Sequence, residues 1–363
     1  MRVLVVTVVH DPEDTRIMHR QIAALREVGH DVTFAAPFTD YGRPLPVELD
    51  AVDLPRAVGT HRLAAALAAR RLMRDRGRQF DIVLLHDPEL VAATAGFRAK
   101  GLVWDVHEDT AAAIAMKTWL PQLARPLASV IVRRIERYGE KRLRLLLAEE
   151  SYASRFRRHH PVIPNSAVIP SMPLPFPADD RVVYIGRLTR HRGAFDMMEL
   201  GRRLAPDVTV HLIGPADGDC RSRLREAHAA GMIQWHGFVP NEDALPLLHG
   251  ALAGLSLLHD QPNYAHSCPT KIMEYMAHGV PVITTPNPSS AKLVEKHECG
   301  MVVPFGDIDA ARIAVDTLRS DVTLRKRMSE SGREAAERHY SWAIDAPRFV
   351  TVLESWAHAA KPT

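Results

Sequence analysis

Cysteines and long apolar runs are both scarce in this 363-residue chain. The three cysteines, Cys220, Cys268 and Cys299, match neither a disulfide framework nor a zinc site in number or spacing, which favours a reducing cytoplasm. A membrane-spanning helix needs about 18 consecutive apolar residues, whereas the longest apolar stretches cover residues 3–9 and 251–258. The first stretch runs into His10 without a cleavage-site pattern, so it predicts a β-strand and not a secretory signal.

A large excess of one charge is also missing, because the formal net charge is only +3, and nucleic-acid binding is not expected. The basic residues are nevertheless concentrated between Arg133 and Arg144. One interpretation is a helix with a solvated face, on which i,i+4 pairs such as Glu136 and Glu140 point to water. The other is a basic patch that makes weak peripheral contact with anionic lipid headgroups of a membrane.

Strands alternate with helices along the first half of the chain. Residues 3–9 form a continuous apolar, β-branched run, as expected of a parallel strand that is buried on both faces. The alternation continues with a helix over 14–27, a strand over 31–36, a strand over 81–85, a helix over 89–100 and a strand over 102–106. This pattern predicts βαβ units and a parallel sheet.

A proline-rich segment divides the chain, with six prolines between residues 161 and 177. Prolines at this density do not suit a helix or a sheet interior, so we predict a linker over 168–180. Beyond it the alternation resumes, with strands over 181–185, 208–213, 233–235, 251–258, 281–285 and 301–303 and a helix over 193–204. We therefore expect an α/β protein with two doubly wound, Rossmann-like domains, residues 1–167 and 181–342, facing a ligand cleft. A helical segment, 343–363, follows, and the sequence leaves open whether it packs back on the first domain.

The most informative motif is Pro-Thr-Lys-Ile-Met-Glu-Tyr-Met-Ala-His-Gly-Val-Pro-Val, which begins at Pro269. Proline suits the first turn of a helix, where its missing N–H is not needed. The backbone N–H groups of Thr270 and Lys271 would then form an anion site at the positive end of the helix dipole. Glu274, one turn further on, could accept hydrogen bonds from two ribose hydroxyls. A surface pair between Lys271 and Glu274 fits the spacing equally well.

This motif resembles the signature of retaining glycosyltransferases with the GT-B fold, family 4. In that family two glutamates eight residues apart serve the sugar donor, and the second, which holds the nucleoside ribose, matches Glu274. The first contacts the transferred sugar, and its position is His266 in this chain. The resemblance thus implies that the donor is bound by residues of this motif and of the preceding loop: His266, Ser267, Cys268, Thr270, Lys271 and Glu274.

A second segment, Val-Tyr-Ile-Gly-Arg-Leu-Thr-Arg-His-Arg-Gly at residues 183–193, is similar to the family's strand–Gly-Arg–loop–Lys-Gly segment. There the arginine and the lysine clamp the donor diphosphate. Gly186 and Arg187 match, and Arg192 replaces the lysine, which keeps the charge and permits bidentate phosphate binding. Without the resemblance, this loop would be interpreted as a solvated basic turn.

The opening, with His10, Asp14 and Arg16, resembles a bacterial branch of the family that lacks the glycine-rich loop found in other branches. These three residues are candidates for the acceptor side of the cleft. Asp14 is also a good N-cap for the first helix. Arg16 opposes the helix dipole from the first turn, which favours a phosphate or an acidic side chain as its neighbour.

Three further candidates, His86, His107 and Glu108, come after predicted strands and would face the cleft. His107 aligns with the family histidine that contacts the donor sugar and the reaction centre. A structural role for either histidine remains open at this point. No His-x-x-x-His pair follows a strand, so no metal site is predicted, and the resemblance likewise implies transfer without metal or cofactor.

The function expected from the resemblance is metal-independent transfer of a sugar from a nucleotide-diphosphate sugar, with UDP as the favoured nucleotide, to an acceptor hydroxyl. Retention of the anomeric configuration would follow from front-face attack. Two alternatives stay open: a hydrolysing sugar-nucleotide epimerase, and a non-catalytic partner subunit of the GT-B fold that has lost one glutamate at position 266. The acceptor and the oligomeric state cannot be deduced from the sequence.

Overall fold

The computed structural model describes residues 1–97, 101–107, 125–172, 174–261, 264 and 269–359, with the backbone alone at 125–129. The chain divides into two compact units. The first contains Met1–Asn165 together with Ile344–Thr363, and the second contains Ser166–Ala343. Within the described ranges, no helix combines the length and the apolar character needed to cross a membrane.

The first unit is built on one sheet of six parallel strands. The strands are β1 (Arg2–Val6), β2 (Asp31–Ala36), β3 (Asp50–Asp53), β4 (Ile82–Leu85), β5 (Gly101–Val106) and β6 (Arg144–Leu147). Their order across the sheet is β3-β2-β1-β4-β5-β6. Residues 3–6 and Ile82–Leu85 are fully buried, because these central strands are covered on both faces.

Helices connect the strands of this unit. A π-helix (Ile17–Ile22) continues into α1 (Ala23–Glu27), and α2 (Arg62–Arg76), α3 (Pro88–Ala93) and α4 (Arg125–Arg142) follow. Short 3₁₀ turns lie at Thr39–Tyr41, Gly59–His61, Gly77–Gln79 and Glu150–Arg155. Since α3 packs against both α2 and α4, these three helices form one layer.

The second unit repeats the plan with the strand order β12-β11-β10-β7-β8-β9, where the numbers follow the chain. Its strands are β7 (Asp179–Ile185), β8 (Thr209–Ile213), β9 (Gln234–Gly237), β10 (Ala251–Ser256), β11 (Val282–Thr284) and β12 (Gly300–Val302). Its helices are α5 (Ala194–Leu204), α6 (Gly218–Ala229), α7 (Asn241–Ala244), α8 (Thr270–Ala277), α9 (Pro288–Lys296), α10 (Ile308–Ser320) and α11 (Val322–His339), with 3₁₀ turns at Arg190–Arg192 and Pro246–Leu248. The last helix, α12 (Trp342–His358), belongs to the first unit from Ile344 onward.

The predicted fold class, two doubly wound α/β domains, is confirmed by these two parallel sheets. Several boundaries differ from the prediction. The first strand ends at Val6 because the N–H groups of Val8 and Val9 turn to the side chain of Asp87. The predicted linker 168–180 lies within the second unit, and its last two residues already belong to β7.

β3 and α2 are among the elements that the sequence analysis did not predict, as is β6. β3 is a half-exposed edge strand with an aspartate at each end, so it shows no apolar run. α2 consists mostly of alanine, leucine and arginine, with exposed leucines on its outer face, and therefore lacks a clear apolar periodicity. The interpretation of Glu136 and Glu140 as a water-facing pair is wrong, because both carboxylates are buried on the inner side of α4.

The contact between Gly254 of β10 and Tyr275 of α8 offers a test of this packing. A Cβ at Gly254 would lie 2.3 Å from the ring of Tyr275. Gly254→Ala should therefore lower the stability of the second unit by about 1–3 kcal/mol, the usual cost of overpacking a core. Thermal unfolding measures the loss. Gly218→Ala is the control, since nothing lies within 4 Å of its Cβ position; an equal shift for both variants would contradict the packing.

Candidate functional site

The N-terminus of α8 lies against the end of β7 in the second unit. Pro269, in an extended conformation, precedes the helix directly, and Thr270 is the first helical residue. The N–H groups of Thr270 and Lys271 have no acceptor within the helix, because they belong to its first turn. The structure thus agrees with the sequence-based placement of a helix N-terminus at this motif.

Tyr275 fixes α8 against two strands. Its hydroxyl accepts a hydrogen bond from the N–H of Ile185 (3.1 Å) and donates one to the carbonyl of Leu255 (3.1 Å). The ring lies directly over Gly254, where no larger residue fits. Burial raises the pKa of Tyr275 well above its usual value, so the hydroxyl keeps its proton. This residue stood in the quoted motif, but its role was not predicted.

Lys271 carries a buried amine beside the glycine that ends β7. Its Nζ lies 3.7 Å from the centre of the Tyr184 ring, and a Cβ at Gly186 would come within 3.6 Å of the same Nζ. Burial, reinforced by the charge of Arg192, lowers the pKa of Lys271 well below its usual range. Among the described residues, no carboxylate forms an ion pair with this amine.

Glu274 is also buried, one turn after Lys271 on α8. The alternative of a solvent-exposed Lys271–Glu274 pair is wrong, since both side chains are less than a tenth exposed. The carboxylate instead belongs to the interior of the second unit. A buried carboxylate next to a helix N-terminus is suited to accepting hydrogen bonds from neutral hydroxyl groups.

The loop after β7 brings the two predicted arginines to different places. Arg192 closes a 3₁₀ turn that is capped by Thr189, and its charge acts on both Lys271 and Tyr184. Gly193 follows with a φ of +79°, and a Cβ there would lie 2.3 Å from the carbonyl of Leu257. Arg187 points elsewhere and pairs with the carboxylate of Asp217 (2.6 Å). Gly186, Arg192 and Lys271 thus come together around Tyr184, whereas Arg187 is half-exposed beside them.

In the first unit, the ends of β1, β4 and β5 carry a buried polar cluster. Arg16 donates two hydrogen bonds of 2.7 Å to the two carboxylate oxygens of Asp105 and a third to Asn165. Burial alone would raise the pKa of Asp105, but the charge and the hydrogen bonds of Arg16 hold it well below its usual value. Arg16 is 4% exposed. The sequence analysis expected either a phosphate or an acidic side chain beside Arg16, and the structure shows the acidic side chain of Asp105.

Two imidazoles, those of His86 and His107, lie against this carboxylate, and a third, that of His10, contacts His107. His86 Nδ1 lies 3.3 Å from Asp105 Oδ2, and burial lowers the pKa of His86 to about 4, so this ring is neutral. His107 Nδ1 lies 3.1 Å from the backbone oxygen of Asp105, and its Nε2 lies 3.0 Å from Nε2 of His10. Because Nδ1 of His107 faces oxygen atoms, we place its proton there and leave Nε2 as the acceptor.

Two aspartates hold the neighbouring backbone. Asp87 is fully buried and accepts hydrogen bonds from the N–H of Val8 (2.6 Å) and the hydroxyl of Thr7, and burial raises its pKa. Asp14 Oδ1 accepts from the N–H groups of Arg16 and Ile17, as expected of an N-cap. The helix-capping interpretation of Asp14 thus agrees with its contacts.

His86, Asp105 and His107 also form a set whose ligand atoms all lie within 4.8 Å of one another, close enough to hold a cation. Spacing could not reveal this set, because its members lie at the ends of two different strands, β4 and β5. Both oxygens of Asp105 are already bound to Arg16, so a cation there would face a guanidinium group. Four predicted site residues, Glu108, His266, Ser267 and Cys268, lie outside the described residues.

Comparison with known proteins finds a family model and several glycosyltransferases that are similar to parts of this chain. Residues 173–335 match the model of glycosyl transferases group 1. A putative colanic acid biosynthesis glycosyltransferase, WcaL, of Salmonella typhimurium is 27% identical over 187 residues, 47% of this chain and 45% of that protein. The lipopolysaccharide core biosynthesis glycosyltransferase LpsE of Rhizobium meliloti is 26% identical over 184 residues, 49% of this chain and 51% of that protein. The chain spans about half the length of these curated relatives.

Solved structures agree over nearly the whole chain. Sucrose-phosphate synthase from Thermosynechococcus elongatus superposes with a TM-score of 0.73 at 15% identity and covers 98% of both chains. Anabaena Alr3699/HepE in complex with UDP and glucose gives a TM-score of 0.70 at 14% identity, over 98% of this chain and 100% of that one. The protein therefore has the GT-B fold of two Rossmann-like domains.

The buried pair of Arg16 and Asp105 yields a stability test. Arg16→Met would leave a buried carboxylate without its cation, and we expect a loss of about 3–5 kcal/mol at pH 7.5. Without Arg16, burial raises the folded-state pKa of Asp105 above its unfolded value of about 3.9. The loss should therefore shrink at pH 5, as the carboxylate takes up a proton.

Thermal unfolding at the two pH values measures this effect. Arg43→Met is the matched control, because Arg43 forms a similar two-bond pair with Asp11 that is partly exposed. Exposed pairs contribute at most about 1 kcal/mol. Equal losses for the two variants, or a loss for Arg16→Met that does not change with pH, would contradict the assignment.

Proposed function

We propose that this protein is a retaining glycosyltransferase that transfers a sugar from a nucleotide-diphosphate sugar, with UDP as the nucleotide, to an acceptor hydroxyl. The observation that carries the proposal is the cationic surroundings of Gly186. Lys271 and Arg192 lie close together around Tyr184, and the N-terminus of α8 adds its dipole to theirs. An anion of high charge, such as a diphosphate, is the natural counterpart of such a site.

The nucleoside is assigned to Glu274, one turn into the same helix. A carboxylate at this distance from a phosphate site can accept hydrogen bonds from two ribose hydroxyls. The choice of UDP is supported by the neighbouring structures of Anabaena Alr3699/HepE, which contain UDP or UDP-glucose. The relatives in polysaccharide and lipopolysaccharide synthesis support a glycan or a glycolipid as acceptor.

The proposed reaction needs electrostatic stabilisation more than a dedicated base. The bond from the anomeric carbon to the diphosphate oxygen breaks, and the acceptor oxygen forms the new bond on the same face. Arg192 and the N–H groups of Thr270 and Lys271 stabilise the charge that develops on the leaving diphosphate. Arg187 joins them in this proposal only by exchanging its pair with Asp217 for the diphosphate. The leaving phosphate oxygen takes the acceptor proton. In line with the resemblance, the proposed reaction assigns no role to a metal. We place the enzyme in the cytoplasm, where the buried thiols of Cys220 and Cys299 would stay reduced.

Incubation with UDP-, GDP- and ADP-glucose, without acceptor, tests the reaction class. We expect slow release of free UDP from UDP-glucose, because water can replace the missing acceptor. A product epimerised at C2 would support the epimerase instead. Absence of any turnover, together with tight nucleotide binding, would support the non-catalytic subunit.

The same assay with His107→Ala separates chemistry from binding. A positioned catalytic group contributes about 10²-fold or more to the rate, so nucleotide release should fall by at least this factor. UDP affinity should stay unchanged, since Glu274 and His107 belong to different compact units. A loss of UDP affinity as large as the loss of turnover would assign His107 to the nucleotide or to the fold.

Glu274→Ala tests the ribose assignment. Hydrogen bonds to a charged group contribute about 1.5–3 kcal/mol, so UDP affinity measured by calorimetry should fall by about 10- to 150-fold. The matched control is Glu295→Ala, which removes an exposed carboxylate from α9 and should leave the affinity unchanged. Unchanged UDP affinity in a folded Glu274→Ala protein would refute the assignment.

A further inference from the structure

The turn that carries Arg192 is held from outside by the segment that follows β10. Within the turn, the hydroxyl of Thr189 accepts a hydrogen bond from the N–H of Arg192 (3.2 Å) and caps the 3₁₀ helix. From outside, the N–H of His259 donates a hydrogen bond to the carbonyl of His191 (3.0 Å). The backbone just before Arg192 is thus tied to residues beyond the end of a different strand of the same sheet.

The imidazole of His259 adds a second attachment. Its Nε2 lies 2.7 Å from Oδ2 of Asp196, in the first turn of α5. An ionised carboxylate accepts hydrogen bonds and does not donate them, so Nε2 of His259 carries the proton of this bond. His259 therefore bridges the backbone of His191, on one side of Arg192, and the side chain of Asp196, on the other.

The segment that carries His259 is itself fixed in the interior of the second unit. The carbonyl of Leu258 accepts hydrogen bonds from the hydroxyl of Thr285 (2.6 Å) and from the side-chain amide of Asn287 (3.3 Å). Both donors are buried and follow β11 in the chain. His259 thus reaches the turn from a buried, hydrogen-bonded support.

We propose that His259 is a positioning residue for the diphosphate of the donor, acting through Asp196 and the backbone of His191 on the turn that carries Arg192. This inference rests on the proposed function, because it takes Arg192 to bind the diphosphate. His259 itself need not touch the donor. A long arginine side chain loses less freedom on binding an anion when its backbone is already fixed, so the attachment favours the phosphate contact.

The contact between His259 and Asp196 is suited to a local role. The two side chains are 31% and 22% exposed. Partly exposed ion pairs contribute little to the stability of a whole domain. We therefore expect the loss of this pair to loosen the turn that carries Arg192 without unfolding the second unit.

Amide hydrogen exchange of the full chain without ligand tests the attachment directly. His259→Ala removes the bond to Asp196 and leaves the backbone bond to His191 possible. Exchange in residues 188–195 should become about 3- to 10-fold faster, as expected for the loss of one partly exposed hydrogen bond. His259→Gln should restore slow exchange, because its side-chain amide can donate to Asp196.

Binding of UDP and of uridine tests the consequence for the ligand. His259→Ala should weaken UDP binding, measured by calorimetry, by about 3- to 10-fold. Uridine lacks the phosphates, so its affinity should not change, and His259→Gln should bind UDP as the parent does. The double variant Asp196→Ala/His259→Ala should bind UDP no more weakly than the weaker single variant, because both changes remove the same bond.

His19→Ala is the matched control. Nε2 of His19 lies 3.0 Å from Oε2 of Glu13 in the first unit, and the two side chains are 26% and 31% exposed. This pair thus resembles that of His259 and Asp196 in distance and exposure. The control should change neither the exchange of residues 188–195 nor the affinity for UDP. Thermal unfolding shows that each variant is folded.

Three results would overturn the proposal while the proposed function stands. They are unchanged exchange and UDP affinity in His259→Ala, failure of His259→Gln to restore either, and a loss of uridine affinity as large as that of UDP affinity. The last would assign His259 to the nucleoside or to the unit as a whole. Failure of the proposed function has a different signature, because a parent chain that binds no UDP would refute that function and this inference together.

Discussion

The pairing of Arg16 with Asp105 holds the polar end of the first unit together. It joins the segment after β1 to the end of β5, and Arg16 reaches Asn165 as well. Two buried charges so arranged are costly to separate, since either one alone would lie in the interior without a partner. His86 and His107 take their places around the same carboxylate. The imidazoles of the candidate site are therefore positioned by an ion pair that need not itself touch any substrate.

In the second unit, an uncharged side chain, Tyr275, positions the residues of the candidate site. The Tyr275 hydroxyl contacts the ends of β7 and β10, and the absence of a side chain at Gly254 allows the ring to approach. This anchor places the first turn of α8 beside Gly186. Lys271 is then carried into the interior next to Tyr184, where its charge is poorly solvated. The anchor therefore also determines how deeply Lys271 is buried, and with it the lowered pKa of this amine.

Much of the fold could be predicted from local patterns. The runs at 3–6 and 82–85 are apolar over their whole length, and buried parallel strands require this. Pro269 and the residues after it mark the start of a helix by their own chemistry. β3 and α2 were not predicted, because neighbouring elements cover only part of each. Polar and small residues therefore occupy positions that would be apolar in a fully buried strand or helix.

The candidate site was less accessible to sequence reasoning, because its contacts are long-range. Arg16 and Asp105 are 89 positions apart, and Lys271 and Tyr184 belong to different elements of the second unit. A motif can name such residues but cannot show that Arg16 faces an aspartate, or that Arg187 turns to Asp217 while Arg192 stays with Lys271. These choices follow from backbone paths, such as the left-handed turn at Gly193.

Because of helix α12, the two units can complete their folding at different times during synthesis. Phe349 and Leu353 of this helix are fully buried, and its Glu354 pairs with His30. Since residues from Ile344 onward belong to the first unit, that unit is interrupted by the whole of the second one. On the ribosome, residues 1–165 emerge first but lack the helix that completes their core. The second unit, which is continuous in sequence, can therefore finish folding before the first.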